Sequence, residues 1–204
     1  MKRLFFLIII LCGLMESIAQ SGEESDIMKR IITDNFSQWK DTIFDRTGKI
    51  KKVRIRTKRK SLVIKNTSVP NTLDLNAMTY KNFKENFFNS LDSFTYNDFL
   101  AKRNSVSKIP NLNIPEIIVK TKYIDTLTLN KIFETNGWEN FNKIYSISTD
   151  LVEISRVGFN KNNTQAMIYY SRSNCGLCGS GYLCLYEFKN GKWYLIEKFM
   201  EWIS

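Results

Sequence analysis

The chain has 204 residues, a formal net charge of +10 and no histidine. That length fits one domain, or one domain with an appendage, and supports a core without covalent staples. The missing imidazole excludes Ser-His-Asp and Cys-His nucleophilic centres, His-ligated zinc and ordinary imidazole acid-base work near neutral pH.

The first twenty residues, MKRLFFLIIILCGLMESIAQ, carry Lys2 and Arg3, an apolar run from Leu4 to Met15, and then the small residues Ser17 and Ala19. These are the three parts of a secretory signal, so residues 1–19 are expected to be removed and residues 20–204 to form one mature α+β domain. The apolar run is shorter than the roughly twenty residues a bilayer span requires. No other segment approaches that length, so the mature chain is expected to have no transmembrane segment and to be periplasmic or secreted. Cys12 would suit a lipoprotein signal, but Leu11 stands where such signals need a small residue, which makes lipidation the lesser expectation.

From Ser25 to Phe44 the residues Ile27, Ile31, Trp39 and Ile43, with Met28, Ile32 and Phe36, recur at helical spacing and predict an amphipathic helix capped by Ser25 or Asp26. Residues 46–65, RTGKIKKVRIRTKRKSLVIK, then hold ten Lys or Arg and no acid, which equals the whole net excess. Within them Val53, Ile55 and Thr57 alternate with Lys52, Arg54, Arg56 and Lys58, the period of a strand with one cationic face. A turn at Lys58, Arg59 and Lys60 into SLVIK would make a basic hairpin. Solvated edge charges that discourage pairing account for the pattern. The functional reading makes Lys52, Arg54, Arg56, Lys58, Arg59 and Lys60 an anion-binding platform for acidic glycan, lipid headgroup or another acidic envelope polymer. Nucleic acid is not an expected partner of an exported chain that has no RNA-binding or helix-turn-helix pattern.

NTSVPNT reads as a loop. Phe83, Phe87 and Leu91, then Phe94 and Phe99, predict two short helices broken near Asp92. Pro110 and Pro115 punctuate a connector before EIIVK, a predicted strand. TLNKIFETNGWENFNKIY predicts one or two helices, with Gly137 as a stop or kink and Trp138, Phe141 and Tyr145 on one face. Residues 20–149 thus form a helix-rich part that carries the basic hairpin.

Residues 150–204 hold four β-rich runs, LVEISRVGFN, TQAMIYYSRS, GYLCLYEFK and KWYLIEKFM. Asn190-Gly191 between the last two is a strong hairpin signal, because both turn residues need φ > 0. An antiparallel four-strand meander follows, and aromatics on a sheet backed by helices suggest by analogy the curved sheets of NTF2-like or cystatin-like domains. Carboxylates at Asp150, Glu153, Glu187, Glu197 and Glu201 show no spacing that singles out an acid-base pair.

The loop between the second and third runs reads NCGLCGSGYLC. If Asn174 faces Gly181, Cys184 faces Ser171, too far down the ladder to reach the loop, whereas Cys175 and Cys178 sit together in the turn. Export favours a Cys175–Cys178 disulfide, with Cys184 a small buried side chain beside Tyr182 and Tyr186. Three thiols without imidazole fall one ligand short of structural zinc, so no metal is expected. The C-x-x-C spacing also admits redox catalysis with Cys175 or Cys178 as nucleophile. However, Gly179-Ser180-Gly181 and a strand follow it, where a helix N-terminus would acidify the thiol.

The stretch with SRVGFN, TQA, CGLCGSG, NGKW and the terminal WIS resembles exported bacterial proteins of uncharacterised function over roughly residues 150–204. The resemblance implies a family-level unit around the cysteine loop and brings no activity with it. The expected function is therefore that of an exported, non-catalytic binding or envelope-associated protein. It would need no cofactor and would use the clipped glycine-rich loop to meet a protein or acidic polymer. The alternative is an exported thiol-disulfide oxidoreductase.

Overall fold

A computed structural model describes residues 22–36, 61–69, 78–114, 120–146 and 149–204, together with the backbone pairing of 39–44 and 50–56. The leader at 1–19, the basic turn at 58–60 and most of EIIVK lie outside the described residues.

Helix α1 spans residues 22–36. Strands β1 (Trp39–Phe44) and β2 (Ile50–Arg56) form a two-stranded antiparallel ribbon of their own. This corrects two sequence expectations. The helix expected to run to Phe44 is described as far as residue 36, and Trp39–Phe44 is a strand. A separation of four, as between Trp39 and Ile43, satisfies the period of a strand as well as that of a helix, so the spacing could not decide. The basic strand also pairs backward with β1, not forward with SLVIK. That segment is β3 (Ser61–Lys65), whose Leu62, Val63 and Ile64 are all fully buried. Three consecutive buried apolar residues suit a strand covered on both faces.

The main sheet has seven strands. In order they are β4 (Lys120–Ile124), β3, β5 (Thr149–Ile154), β7 (Gln165–Ser173), β8 (Gly179–Lys189) and β9 (Lys192–Ile203), with β6 (Gly158–Phe159) pairing β7. Strand β3 is parallel to both neighbours, and every other pairing is antiparallel. The run expected as the meander's first strand is divided into β5 and β6, both laid against β7. The class is α+β with a C-terminal strand meander. At the β8–β9 hairpin Asn190 and Gly191 have φ of 51° and 75°, the left-handed pair such a tight turn demands.

Between β3 and β4 come α2 (Tyr80–Asn86) and α3 (Ser93–Lys102); between β4 and β5 come α4 (Thr126–Glu134) and α5 (Gly137–Tyr145). Asp92 does more than break the middle helices. Its carboxylate accepts from the backbone N–H of Phe94 and Thr95 and starts α3. Gly137 opens α5 rather than ending a helix, after Asn136 turns the chain through a left-handed φ of 51°.

Alternation along the strands feeds both faces of the sheet. Leu62, Ile64, Ile168, Tyr170, Cys184 and Tyr186 pack under Ile27, Met28, Ile31, Ile32 and Phe36 of α1. On the opposite face Met167, Tyr169, Leu183 and Leu185 pack on Phe83, Tyr96 and Phe99 of α2 and α3. Val63 and Leu151 pack there on Leu129, Ile132 and Phe141 of α4 and α5. Burial of each of these side chains stabilises the fold by roughly 1.5–3 kcal/mol before entropy is set against it. The β7–β8 bend lies where α5 and the last residues of the chain, at the end of β9, also arrive.

Candidate functional site: the disulfide-closed bend

Two strands of nine and eleven residues meet at this bend. Their register sets Ser171, not Asn174, against Gly181 and Ser173 against Gly179, so Cys184 faces Ile168 instead of the expected Ser171 and lies further down the ladder from the bend. Cys184 is fully buried, and burial pushes its thiol up to about 12. It is a neutral core residue, as expected from its place beside Tyr182 and Tyr186.

Cys175 and Cys178 are joined by a disulfide with Cα atoms 4.9 Å apart. The backbone closes the same ring: Asn174 N–H donates to Cys178 O at 3.2 Å, and Cys178 N–H donates to Cys175 O at 3.4 Å. Leu177, between the sulfurs, is 82% exposed.

What lies behind the bend explains its glycines. Trp202 crosses Gly179 and Gly181, and its indole N–H donates to the Tyr169 hydroxyl at 3.0 Å. A Cβ on Gly181 would lie 2.7 Å from Trp202 Cδ1, and one on Gly179 would lie 2.8 Å from Cζ3. Only a residue without Cβ leaves room for the ring. Ser204 completes the seam, exchanging two backbone hydrogen bonds with Gly179 at 3.2 and 3.0 Å. Gly176 packs from the other side, where a Cβ would touch Trp138 Cδ1 of α5 at 3.7 Å. The bend is thus braced by α5, by the end of β9 and by its own covalent bond. Burial raises the Tyr169 hydroxyl pKa, so the phenol stays protonated and accepts through its lone pairs.

The chemistry open to this arrangement is narrow. The cysteines sit between β7 and β8 with no helix starting at either, so the usual source of thiol acidification is missing. Among the described residues no group of three or more His, Cys, Asp or Glu is placed to hold a metal ion. Three of the five meander carboxylates are engaged in structure: Glu153 pairs with Lys65 at 3.2 Å, Glu187 with Lys189 at 2.6 Å, and Glu197 accepts from the Asn89 and Ser90 backbone N–H groups at 2.9 and 2.8 Å.

Of the expected anion platform, Lys52, Arg54 and Arg56 lie on β2, while Lys58, Arg59 and Lys60 lie outside the described residues. Two polar clusters escaped the sequence. Lys198 Nζ donates to the Tyr170 hydroxyl at 2.7 Å and to Asn35 Oδ1 at 2.8 Å, and rests 4.0 Å over the Tyr182 ring. Arg156 clasps Glu24 through Nε and Nη2, tying the start of α1 to the sheet. Only period-two placement of Tyr170, Tyr182 and Lys198 on facing strands could have hinted at the first, and nothing local marks the second. No family model, curated protein or solved structure matches the chain.

Proposed function

We propose that this is an exported, non-catalytic binding protein that meets its partner through the Cys175–Cys178 bend. One observation carries the reading. Leu177 is 82% exposed at the tip of a ring held by a disulfide and braced by Trp202 and Trp138. A large aliphatic side chain fixed in water is a poor use of a core-forming residue, and burying it against a partner contributes roughly 1.5–3 kcal/mol. Because the ring is already ordered, binding pays little of the usual cost of freezing a loop. The disulfide itself belongs to an oxidising compartment, which fits periplasmic or secreted residence.

Exposure of Cys178 favours the second reading, thiol-disulfide exchange. The strand-turn-strand setting argues against it, since neither a helix terminus nor an imidazole is there to stabilise a thiolate. A photoreactive amino acid at position 177, activated in intact cells, is expected to give a discrete protein adduct that Cys175→Ser/Cys178→Ser abolishes. The same probe at Leu127, on α4, serves as the control. Equal labelling from both positions would refute the binding role. A disulfide potential well above about −300 mV would instead favour catalysis.

A further inference from the structure

Among the described residues the ribbon formed by β1 and β2 shares no strand pairing with the seven-stranded sheet. Its register sets Trp39 against Arg56, Asp41 against Arg54 and Ile43 against Lys52. Cross-strand partners share a face, and so do positions two apart on a strand. These six positions therefore occupy one face of the ribbon. Lys40, Thr42, Val53 and Ile55 occupy the other.

Three features of the first face point to one kind of partner. Lys52, Arg54 and Arg56 repeat at a spacing of roughly 7 Å, and Asp41 is the one acidic position among them. Repulsion along such a row opposes the ribbon, and a two-stranded hairpin has little stability of its own in water to set against it. Anionic charge from outside relieves the repulsion. Finally, Trp39 and Ile43 share the face with the cations. A soluble polyanion needs the charges alone, whereas a bilayer surface uses both kinds of residue, headgroups meeting Lys and Arg while Trp and Ile enter the interfacial layer.

We infer that the β1–β2 ribbon is a docking surface for an anionic phospholipid bilayer. It holds the exported protein at a membrane without spanning it, and it shares no residue with the Leu177 bend. Each Lys or Arg brought near such a surface strengthens binding by close to a factor of five.

The test is co-sedimentation of the purified mature protein with phosphatidylcholine vesicles, with and without phosphatidylglycerol. Binding is expected only with the anionic lipid, and to fall steeply between low and high salt. Lys52→Gln/Arg54→Gln/Arg56→Gln should weaken it by about 100-fold, whereas Leu177→Asp should leave it unchanged. As a check independent of the triple variant's folding, vesicles should shift tryptophan emission of the wild type to the blue, and Trp39→Phe should remove that shift. Absence of binding to the anionic vesicles overturns the inference, as does a circular-dichroism-competent triple variant that binds like the wild type, or a blue shift that survives Trp39→Phe. Binding to soluble heparin but not to vesicles would assign the ribbon to acidic polymer and would equally overturn it.

Discussion

Gly181→Ala is the sharpest test of how the bend is held. The new methyl would lie 2.7 Å from both Cδ1 and Cε2 of Trp202, about an ångström inside ordinary contact. The ring cannot move away freely, because its N–H is bonded to the Tyr169 hydroxyl and its strand is paired through Ile203 to Ser180. Forcing it out incurs an overpacking cost of about 1–3 kcal/mol. Losing the indole hydrogen bond adds about 1 kcal/mol. The sum, about 2–4 kcal/mol, corresponds to a fall in Tm of roughly 4–16 °C for a domain of this size. Urea denaturation should report it as a lower midpoint with an unchanged slope. The decisive comparison repeats the substitution in a Trp202→Ala background. With the ring gone, alanine restricts the unfolded chain more than glycine does, so the change should become neutral or stabilising by a few tenths of a kcal/mol. An equal cost in both backgrounds, or a single variant within about 0.5 kcal/mol of wild type, would refute the glycine-under-tryptophan account.

Removing the disulfide with Cys175→Ser/Cys178→Ser closes no large loop and should cost about 2 kcal/mol or less in chemical denaturation, while leaving far-ultraviolet circular dichroism intact. Arg156→Ala strands Glu24, whose side chain is 9% exposed, and should lower stability by about 2–4 kcal/mol. Glu24→Gln/Arg156→Met should recover much of that loss, a coupling that a double-mutant cycle measures. At the start of α4, bonds from the Thr128 backbone N–H and hydroxyl hold the Asp125 carboxyl below its ordinary pKa. A depressed folded pKa contributes stability that is present above the unfolded value and lost as pH falls through the folded one. Asp125→Ala should therefore destabilise the protein at neutral pH, with the difference from wild type shrinking in acid, as thermal melts across pH would show.

The C-terminal half of the fold was legible because its strands carry their own punctuation. Asn190-Gly191 names its turn type, and the short β-rich run Met167 to Tyr170, bounded by turn residues, reads as a strand, whose side chains feed both faces of the sheet. The disulfide was legible because a spacing of three in a bend leaves Cys175 and Cys178 within reach of each other. Legibility failed where one pattern serves two structures. Trp39 and Ile43 fit a helix and a strand equally, and only pairing with β2 selects the strand. Strand β3 was assigned to the wrong partner because a central parallel strand is defined by neighbours β4 and β5, which lie far away in sequence. The Lys198–Tyr170–Asn35 cluster joins β9, β7 and α1 across 163 residues and leaves no local signature.

The motifs that gave residues 150–204 their distinctive look turn out to hold the fold together. The Ser155 hydroxyl accepts from the buried Tyr169 N–H and donates to the Arg156 carbonyl. Gly158 lets α3 approach β6 so closely that a Cβ there would lie 2.5 Å from Phe99 Cα. Asn160 Oδ1 accepts from the N–H groups of Thr164 and Gln165, closing the turn, and Gln165 accepts from Asp92 N–H and donates to Ser90 O, fixing the loop before α3. Gly179 and Gly181 make room for Trp202, and Ser204 pairs with Gly179. The proposed contact positions lie elsewhere: Leu177 is exposed at the tip of the closed ring, and Lys52, Arg54 and Arg56 belong to β2, which pairs with β1.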